Sequence, residues 1–365
     1  MNGISRRDVI AGVAAGGAAL LGAGPAQASE ALSTLAARAG LLFGGAIDNV
    51  SRLDPGMTRL FAQQAGILVT ENALKFDYLR PDAERFEFGG ADAIAAFAKA
   101  NGQQLRGHTL IWNDNAPDWL KRRPGREVER IFDAHIDRVV ERYAGRLHSW
   151  DVVNEPFWPM HGRPGGYRDG PWLSAMGPSY IARAFRRVAA IDKTARLTLN
   201  EAFCETNHEW GQGIRPRLRD LVAKLQDDGA PLHAVGFQAH LLPHWPYDDS
   251  AFAAYAESFA ARGLDIYITE LDVNDEAYPA NVAERDRLVA KRYGDFLRAV
   301  LAIAAVRIVM TWQLSDRASW LRDIYRRAGK PAEKLPRPLP FDDALKPKAA
   351  VEAIAAAFAA RRVTP

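Results

Sequence analysis

The stretch SWDVVNEP, residues 149 to 156, ends a run of strand-forming residues on an amide and an acid, Asn154 and Glu155, and is then stopped by proline. Far downstream, DIYITELDV delivers a second acid, Glu270, and a third, Asp272, in the same way. Two carboxylates presented by separate strand ends can divide the work of breaking an acetal, one handling the proton and the other the bond at carbon. Residues two apart on a strand share a face, so Glu270 goes with Asp272, and Gln238 goes with His240 in AVGFQAH. On adjacent strands these form a chain in which Asp272 orients His240 and His240 donates to Glu270, holding that carboxylate ionised and aimed. Alone, His240 reads as a satisfied core histidine and Glu270 as a strand-end ion-pair acid. Their neighbours change that reading.

The elements that must position these groups alternate along the chain. Strand-like segments fall at 41–46, 66–70, 104–110, 149–154, 196–200, 234–240, 264–269 and 306–312. Between them lie helical patterns with apolar residues three and four apart, such as MTRLFAQQA, ADAIAAFAKAN, REVERIFDAHIDRVVERYA, YIARAFRRVAAID, RPRLRDLVAKLQDD and RDRLVAKRYGDFLRAVLAIAA. A Pro-rich loop, GKPAEKLPRPLP, precedes the final helix. A doubly wound open sheet would also alternate, but FGGAIDNVSR after the first strand lacks its Gly-rich phosphate turn. The pattern predicts an α/β fold, a (β/α)8 TIM barrel, as a single domain over residues 29–365.

In such a barrel the chemistry sits at the C-terminal strand ends. Those ends carry Glu71, Asn72 and Lys75; His108 and Trp112; Asn154 and Glu155; Asn200 and Glu201; Gln238 and His240; Glu270 and Asp272; and Trp312. The mixture suits a neutral polyhydroxylated ring: amides and imidazoles meet hydroxyl groups, indole faces stack on C–H surfaces, and two acids do the chemistry. Metal ligation by His108 and His240 is the weaker reading, because the carboxylates stand beside amides and indoles rather than in a ligand cluster.

Over roughly residues 40 to 355 the chain resembles the xylanases of glycoside hydrolase family 10, through TENALKF, GHTLIW, WDVVNEP, LTLNEAF, VGFQAH, ITELDV, TWQLSDRASW and PLPFDDALKPK. The resemblance implies an endo-1,4-β-xylanase that retains anomeric configuration, with Glu155 as general acid/base and Glu270 as nucleophile. It makes Asn154 a donor to the sugar 2-hydroxyl, and Glu71, Asn72, Lys75, His108, Trp112, Gln238, His240, Trp312 and Trp320 the lining of the glycone subsites. It implies xylan and xylo-oligosaccharides as partners, with no cofactor and no metal. The chain departs from the family pattern at Asn113 and Asn115 beside the cleavage point, at Glu201 and Ala202 after the fifth strand, and at Gln313 where glycine is usual. These departures bear on subsite preference. Another retaining β-glycanase, or a non-catalytic sugar-binding protein, stays open as an alternative, although binding alone needs neither acid.

With 48% hydrophobic and 25% charged residues, the composition is that of a globular enzyme, and a formal charge of +3 with no basic block argues against nucleic-acid binding. Residues 1–28 read as a twin-arginine-type signal peptide: Arg6 and Arg7, a Gly/Ala-rich apolar stretch, then Ala26-Gln27-Ala28. This predicts export to the periplasm or medium, with no membrane segment after signal removal. The single cysteine, Cys204, has no intramolecular disulfide partner, so a monomer held by its core is expected.

Overall fold

Short runs of Val, Ile and Leu with no polar face form parallel strands, which is what a sheet covered on both sides requires. The computed structural model describes residues 30–48 and 50–361, and the expected signal peptide lies outside them. Eight parallel strands run β1 (Leu42–Ile47), β2 (Ile67–Thr70), β3 (Gln104–Gly107), β4 (Ser149–Asn154), β5 (Arg196–Glu201), β6 (Ala234–Phe237), β7 (Asp265–Val273) and β8 (Val306–Thr311). Each pairs with its sequence neighbours, and β8 returns to β1 in the register Leu42↔Ile308 through Gly45↔Thr311, closing the (β/α)8 barrel. A two-residue strand, His240–Leu241, adds to the upper half of β7 through His240↔Asp272.

Closure creates two cores. The larger packs the outer faces of the strands against the helices, with Phe43, Phe61, Trp150, Phe185, Phe237 and Phe296 fully buried. The smaller fills the barrel itself with Ala46, Ile67, Val69, Ala234, Tyr267, Ile308 and Met310, capped by Trp312. One cation shares that interior. Arg106 is 0% exposed; its Nε donates to Ser149 Oγ at 3.0 Å, it pairs with Asp151, and its guanidinium lies 5.3 Å from the Tyr267 ring centre. The second oxygen of Asp151 meets His108 Nδ1 at 3.0 Å. The floor of the barrel's C-terminal end is thus an ion pair that also orients a strand-end histidine.

The expected strands are present, with three corrections: the seventh runs on to Val273 rather than stopping at residue 269, and the third and sixth stop short. The third stops at Gly107 rather than continuing to residue 110, and His108 leaves the ladder to bond Thr70 and Asp151. The sixth stops at Phe237, because Ala239 adopts a left-handed backbone, φ 61°, and only then does the chain rejoin the sheet at His240. Among the helices, RPRLRDLVAKLQDD is the end of a longer one, Glu209–Asp227, which runs through Pro216 because Ile214, Leu218, Leu221, Val222 and Leu225 bury its inner face. Leu32–Arg38, Asp249–Ala260 and Trp320–Arg327 are helices that apolar spacing did not pick out.

Removing one member of a buried ion pair strands the other, at a cost of about 3–5 kcal/mol. Arg106→Met should therefore lower unfolding stability by about that amount in urea titrations. A loss under about 1 kcal/mol would mean that the pair is not the internal support described.

Candidate active site

β4 ends on Asn154, and the next residue turns out of the strand: Glu155 has φ 46° while its N–H donates to the Asn200 carbonyl of β5 at 2.9 Å. A left-handed conformation in a residue with a side chain costs on the order of 1–3 kcal/mol and persists only where the surroundings fix it. Here it turns the carboxylate into a cavity of about 420 Å³ at the barrel's C-terminal end. Glu155 Oε1 accepts from Gln238 Nε2 at 2.8 Å and from Asn154 Nδ2 at 3.4 Å. Its Oε2 is paired with Arg168 Nη2 at 2.5 Å.

Glu270, on β7, faces the same cavity and is 4% exposed. Asn200 Nδ2 donates to its Oε1 at 2.8 Å and also to Asn154 Oδ1 at 2.8 Å, so a short amide chain joins the two acids. The other Glu270 oxygen meets His240 Nε2 at 3.2 Å, and His240 Nδ1 meets Asp272 Oδ1 at 2.9 Å. Burial alone would drive the His240 imidazole toward neutrality, but the charge and hydrogen bond of Asp272, joined by those of Glu270, hold it well above the usual histidine range. Burial likewise pushes Glu270 up, and the His240 hydrogen bond, the nearby His108 and the Asn200 amide outweigh it, leaving the carboxyl below its ordinary value. The outcome is an imidazolium between two carboxylates, donating to both.

The segment that carries His240 is held from below. Glu205 Oε1 accepts from the Ala239 N–H at 2.7 Å, which fixes the kink between Gln238 and His240. The kink, rather than strand alternation, is what lets both side chains line the cavity. Trp320 Nε1 donates to Asp272 Oδ2 at 2.8 Å, so this indole has its ring face left to offer. Lys75, His108, Trp112, Asn154, Trp312 and Trp320 all line the cavity, with Lys75 Nζ 3.1 Å from Asn72 Oδ1 and 5.4 Å from the Trp112 ring centre.

Several expected residues stand elsewhere. Glu71 does not line the cavity: Gln313 Nε2 bonds its carboxyl, and burial pushes that carboxyl up to about 7. Asn72 accepts from Lys75 Nζ through its Oδ1. Gln313 is 1% exposed with φ 80°, so the residue that replaces glycine acts on Glu71 from inside the wall. Asn113 also turns inward, accepting from Trp172 N at 3.2 Å, and the cavity is reached instead by Asp114. Glu201 is 0% exposed and accepts from the N–H groups of Phe157 and Ala202. Burial, with Glu155 nearby, raises it well above the carboxylate range. Cys204 is buried and free, with its thiol raised by burial.

The remaining wall is made of residues that spacing did not flag: Asp114, Trp158, His161, Arg168 and Phe203. They come from loops with no period to read. A local signal existed only for Trp158, an aromatic three residues beyond Glu155.

The sequence model of Glycosyl hydrolase family 10 matches residues 31–357. Endo-1,4-beta-xylanase 5 of Pyricularia oryzae is 30% identical over 347 residues, spanning 93% of this chain and 82% of that protein. The crystal structure of xylanase B from Clostridium stercorarium F9 superposes with a TM-score of 0.78 at 31% identity, covering 89% of this chain and 99% of that one. That of xylanase 10B from Thermotoga petrophila in complex with xylobiose gives 0.78 at 27% identity over 90% of this chain and 97% of that one.

Two expectations follow from the electrostatics. In Asp272→Asn the His240 ring should titrate at lower pH, followed by histidine NMR, because it loses the largest contribution favouring its charge; an unchanged titration would contradict the relay. Burial raises the Glu205 carboxyl to about 7 from 4.5. The folded state therefore binds the extra proton between those values, and this group's contribution to stability falls as pH rises from 4.5 to 7. Glu205→Gln keeps the acceptor for Ala239 and removes the titration. Its melting temperature should gain on the wild type between about pH 5 and pH 8, by up to about 3 kcal/mol in stability. A pH-independent difference would contradict this.

Proposed function

The chain belongs to glycosyl hydrolase family 10, and from that premise we propose that it is an endo-1,4-β-xylanase that cleaves xylan and xylo-oligosaccharides by double displacement with retention. The observation that carries this reading is the pair of unlike acids on one cavity: Glu270 kept ionised by the His240–Asp272 relay, and Glu155 joined to it through Asn154 and Asn200. Retention needs the carboxyl groups only about 5 Å apart, with no room for a water between acid and sugar. Both acids line one cavity and share the Asn154–Asn200 pair, which is the arrangement such a mechanism uses.

In the first half, the Glu270 oxygen attacks the anomeric carbon while Glu155 protonates the departing glycosidic oxygen; the C–O bond breaks and an α-glycosyl ester forms on Glu270. In the second, water enters, Glu155 removes its proton, the water oxygen bonds to the anomeric carbon, and the electron pair of the ester bond returns to Glu270. The β-configured product results. His240 moves no proton in either half. It donates to the Glu270 oxygen that is left as the ester carbonyl and steadies the leaving carboxylate. Asn154 donates to the 2-hydroxyl, and Lys75, His108, Trp112, Trp312 and Trp320 hold the glycone sugars, with indole faces on the ring C–H surfaces.

Export by the twin-arginine route and a monomeric state accompany this reading. Export rests on residues 1–28 of the sequence alone.

An open cleft at a barrel top accepts a chain at any point, so the enzyme should release xylobiose and xylotriose early from unsubstituted xylan; xylose as sole early product, or no cleavage, would sink the reading. The two acids are separable by stereochemistry. In Glu270→Ala, azide should attack an activated aryl β-xylobioside from the vacated face and give the α-glycosyl azide. In Glu155→Ala the glycosyl-enzyme still forms from a good leaving group, and azide should turn it over to the β-glycosyl azide. Reversed anomeric configurations, read from proton coupling constants, would exchange the two roles.

A further inference from the structure

Glu155 is held in its left-handed conformation by one side chain thirteen residues on. Arg168 Nε donates to the Glu155 backbone carbonyl at 2.8 Å, and Arg168 Nη2 meets Oε2 of the same residue at 2.5 Å. A single guanidinium therefore grips both the main chain and the carboxylate of one residue. A fork of this kind fixes direction as well as distance, because the donors of arginine are coplanar.

Arg168 is itself immobilised. It is 3% exposed, its backbone N–H donates to the Pro156 carbonyl at 2.8 Å, its third side-chain nitrogen reaches Asp114, and its guanidinium lies 4.6 Å from the Trp158 ring centre. The loop after β4 leaves the strand at Glu155 and comes back to place this one cation on the residue where it left.

We propose that Arg168 is a positioning residue for Glu155, acting chiefly in the second half of the reaction. The proposal rests on Glu155 being the acid/base. Once the leaving group has departed with the proton, Glu155 is an anion that must stay aimed until water arrives. Arg168 holds Oε2 and the carbonyl, and Gln238 holds Oε1, so the carboxylate plane stays fixed while it takes the water proton, the water oxygen joins the anomeric carbon and the ester electrons return to Glu270. Asp114, on the outer nitrogen, offsets part of the guanidinium charge. The other ionisable groups around the cavity are Lys75, His108, His161, His240 and Glu270, and behind Glu155 lies Glu201, which is raised well above the carboxylate range.

The test uses Arg168→Met with 2,4-dinitrophenyl β-xylobioside, whose leaving group needs no protonation. Stopped-flow mixing should show a burst of dinitrophenolate at a rate within about twofold of wild type, followed by a steady state at least about tenfold slower. Azide, which needs no base, should restore the steady state and yield the β-glycosyl azide. Arg168→Lys keeps the charge without the fork, and should recover part of the loss. A steady state within about twofold of wild type, or a burst that falls together with it and ignores azide, would overturn the proposal, the latter because it marks a merely structural role. If circular dichroism shows that Arg168→Met does not fold, Arg168→Lys carries the comparison, with the same burst intact and the same step slowed. Glu155→Ala run alongside keeps the two claims apart: if it lacks the burst and the azide response, the acid/base assignment fails, whereas normal behaviour there with an unaffected Arg168 variant removes only Arg168.

Discussion

Taking an ionised carboxylate out of water costs several kcal/mol unless opposite charge and hydrogen bonds replace the lost hydration. Glu270 is such a group, 4% exposed within the upper half of β7. What replaces its water is an imidazolium, and that cation exists in the interior only because Asp272 lies on its far side at 2.9 Å. Much of the upper barrel follows from keeping these three groups in line. Trp320 bonds the outer oxygen of Asp272, the two-residue strand at His240 pairs with β7 opposite Asp272, and Glu205 clamps the kink that brings His240 there. Together these contacts hold the Glu270 carboxylate in one orientation.

Glu155 is built by different means. It stands on a turn rather than within a strand, with side-chain exposure of 12%, and its partners come from a loop and from two amides. Amides and a guanidinium shared with Asp114 surround it, where Glu270 has an imidazolium and an amide. The two acids thus differ because their surroundings differ. The Asn154–Asn200 pair hydrogen-bonds to both.

Strands were legible where one physical demand acted. SWDVVN is a strand over 149–154, as its residues imply, since every position is buried, and the register shift between Asp151 and Val153 against β5 does not break it. AVGFQAH answered two demands, pairing and site construction, and the second won at Ala239, where an alanine takes a conformation that its side chain disfavours. Periodicity cannot foresee such a break, and it is the break that brings Gln238 and His240 to one cavity. The helix Asp249–Ala260 left a readable start, Asp248 accepting from Ala251 N, but its small residues blurred the apolar stripe. Arg168 and Asp114 were beyond reach because loops carry no period and their meeting depends on the fold. Gln313 could be recognised as a departure, yet its consequence, a bond to Glu71 that draws that acid into the wall, required the structure.

Double displacement at this site requires Glu270 to be the group that bonds to the sugar. Incubation with an activated 2-deoxy-2-fluoro-β-xylobioside slows both steps and the second more, so an ester should accumulate and intact-protein mass should rise by one fluoroxylobiosyl group. Proteolysis and fragmentation should locate that mass on Glu270 within the β7 peptide. A label on Glu155 or on another residue, or turnover without any covalent species, would contradict this mechanism.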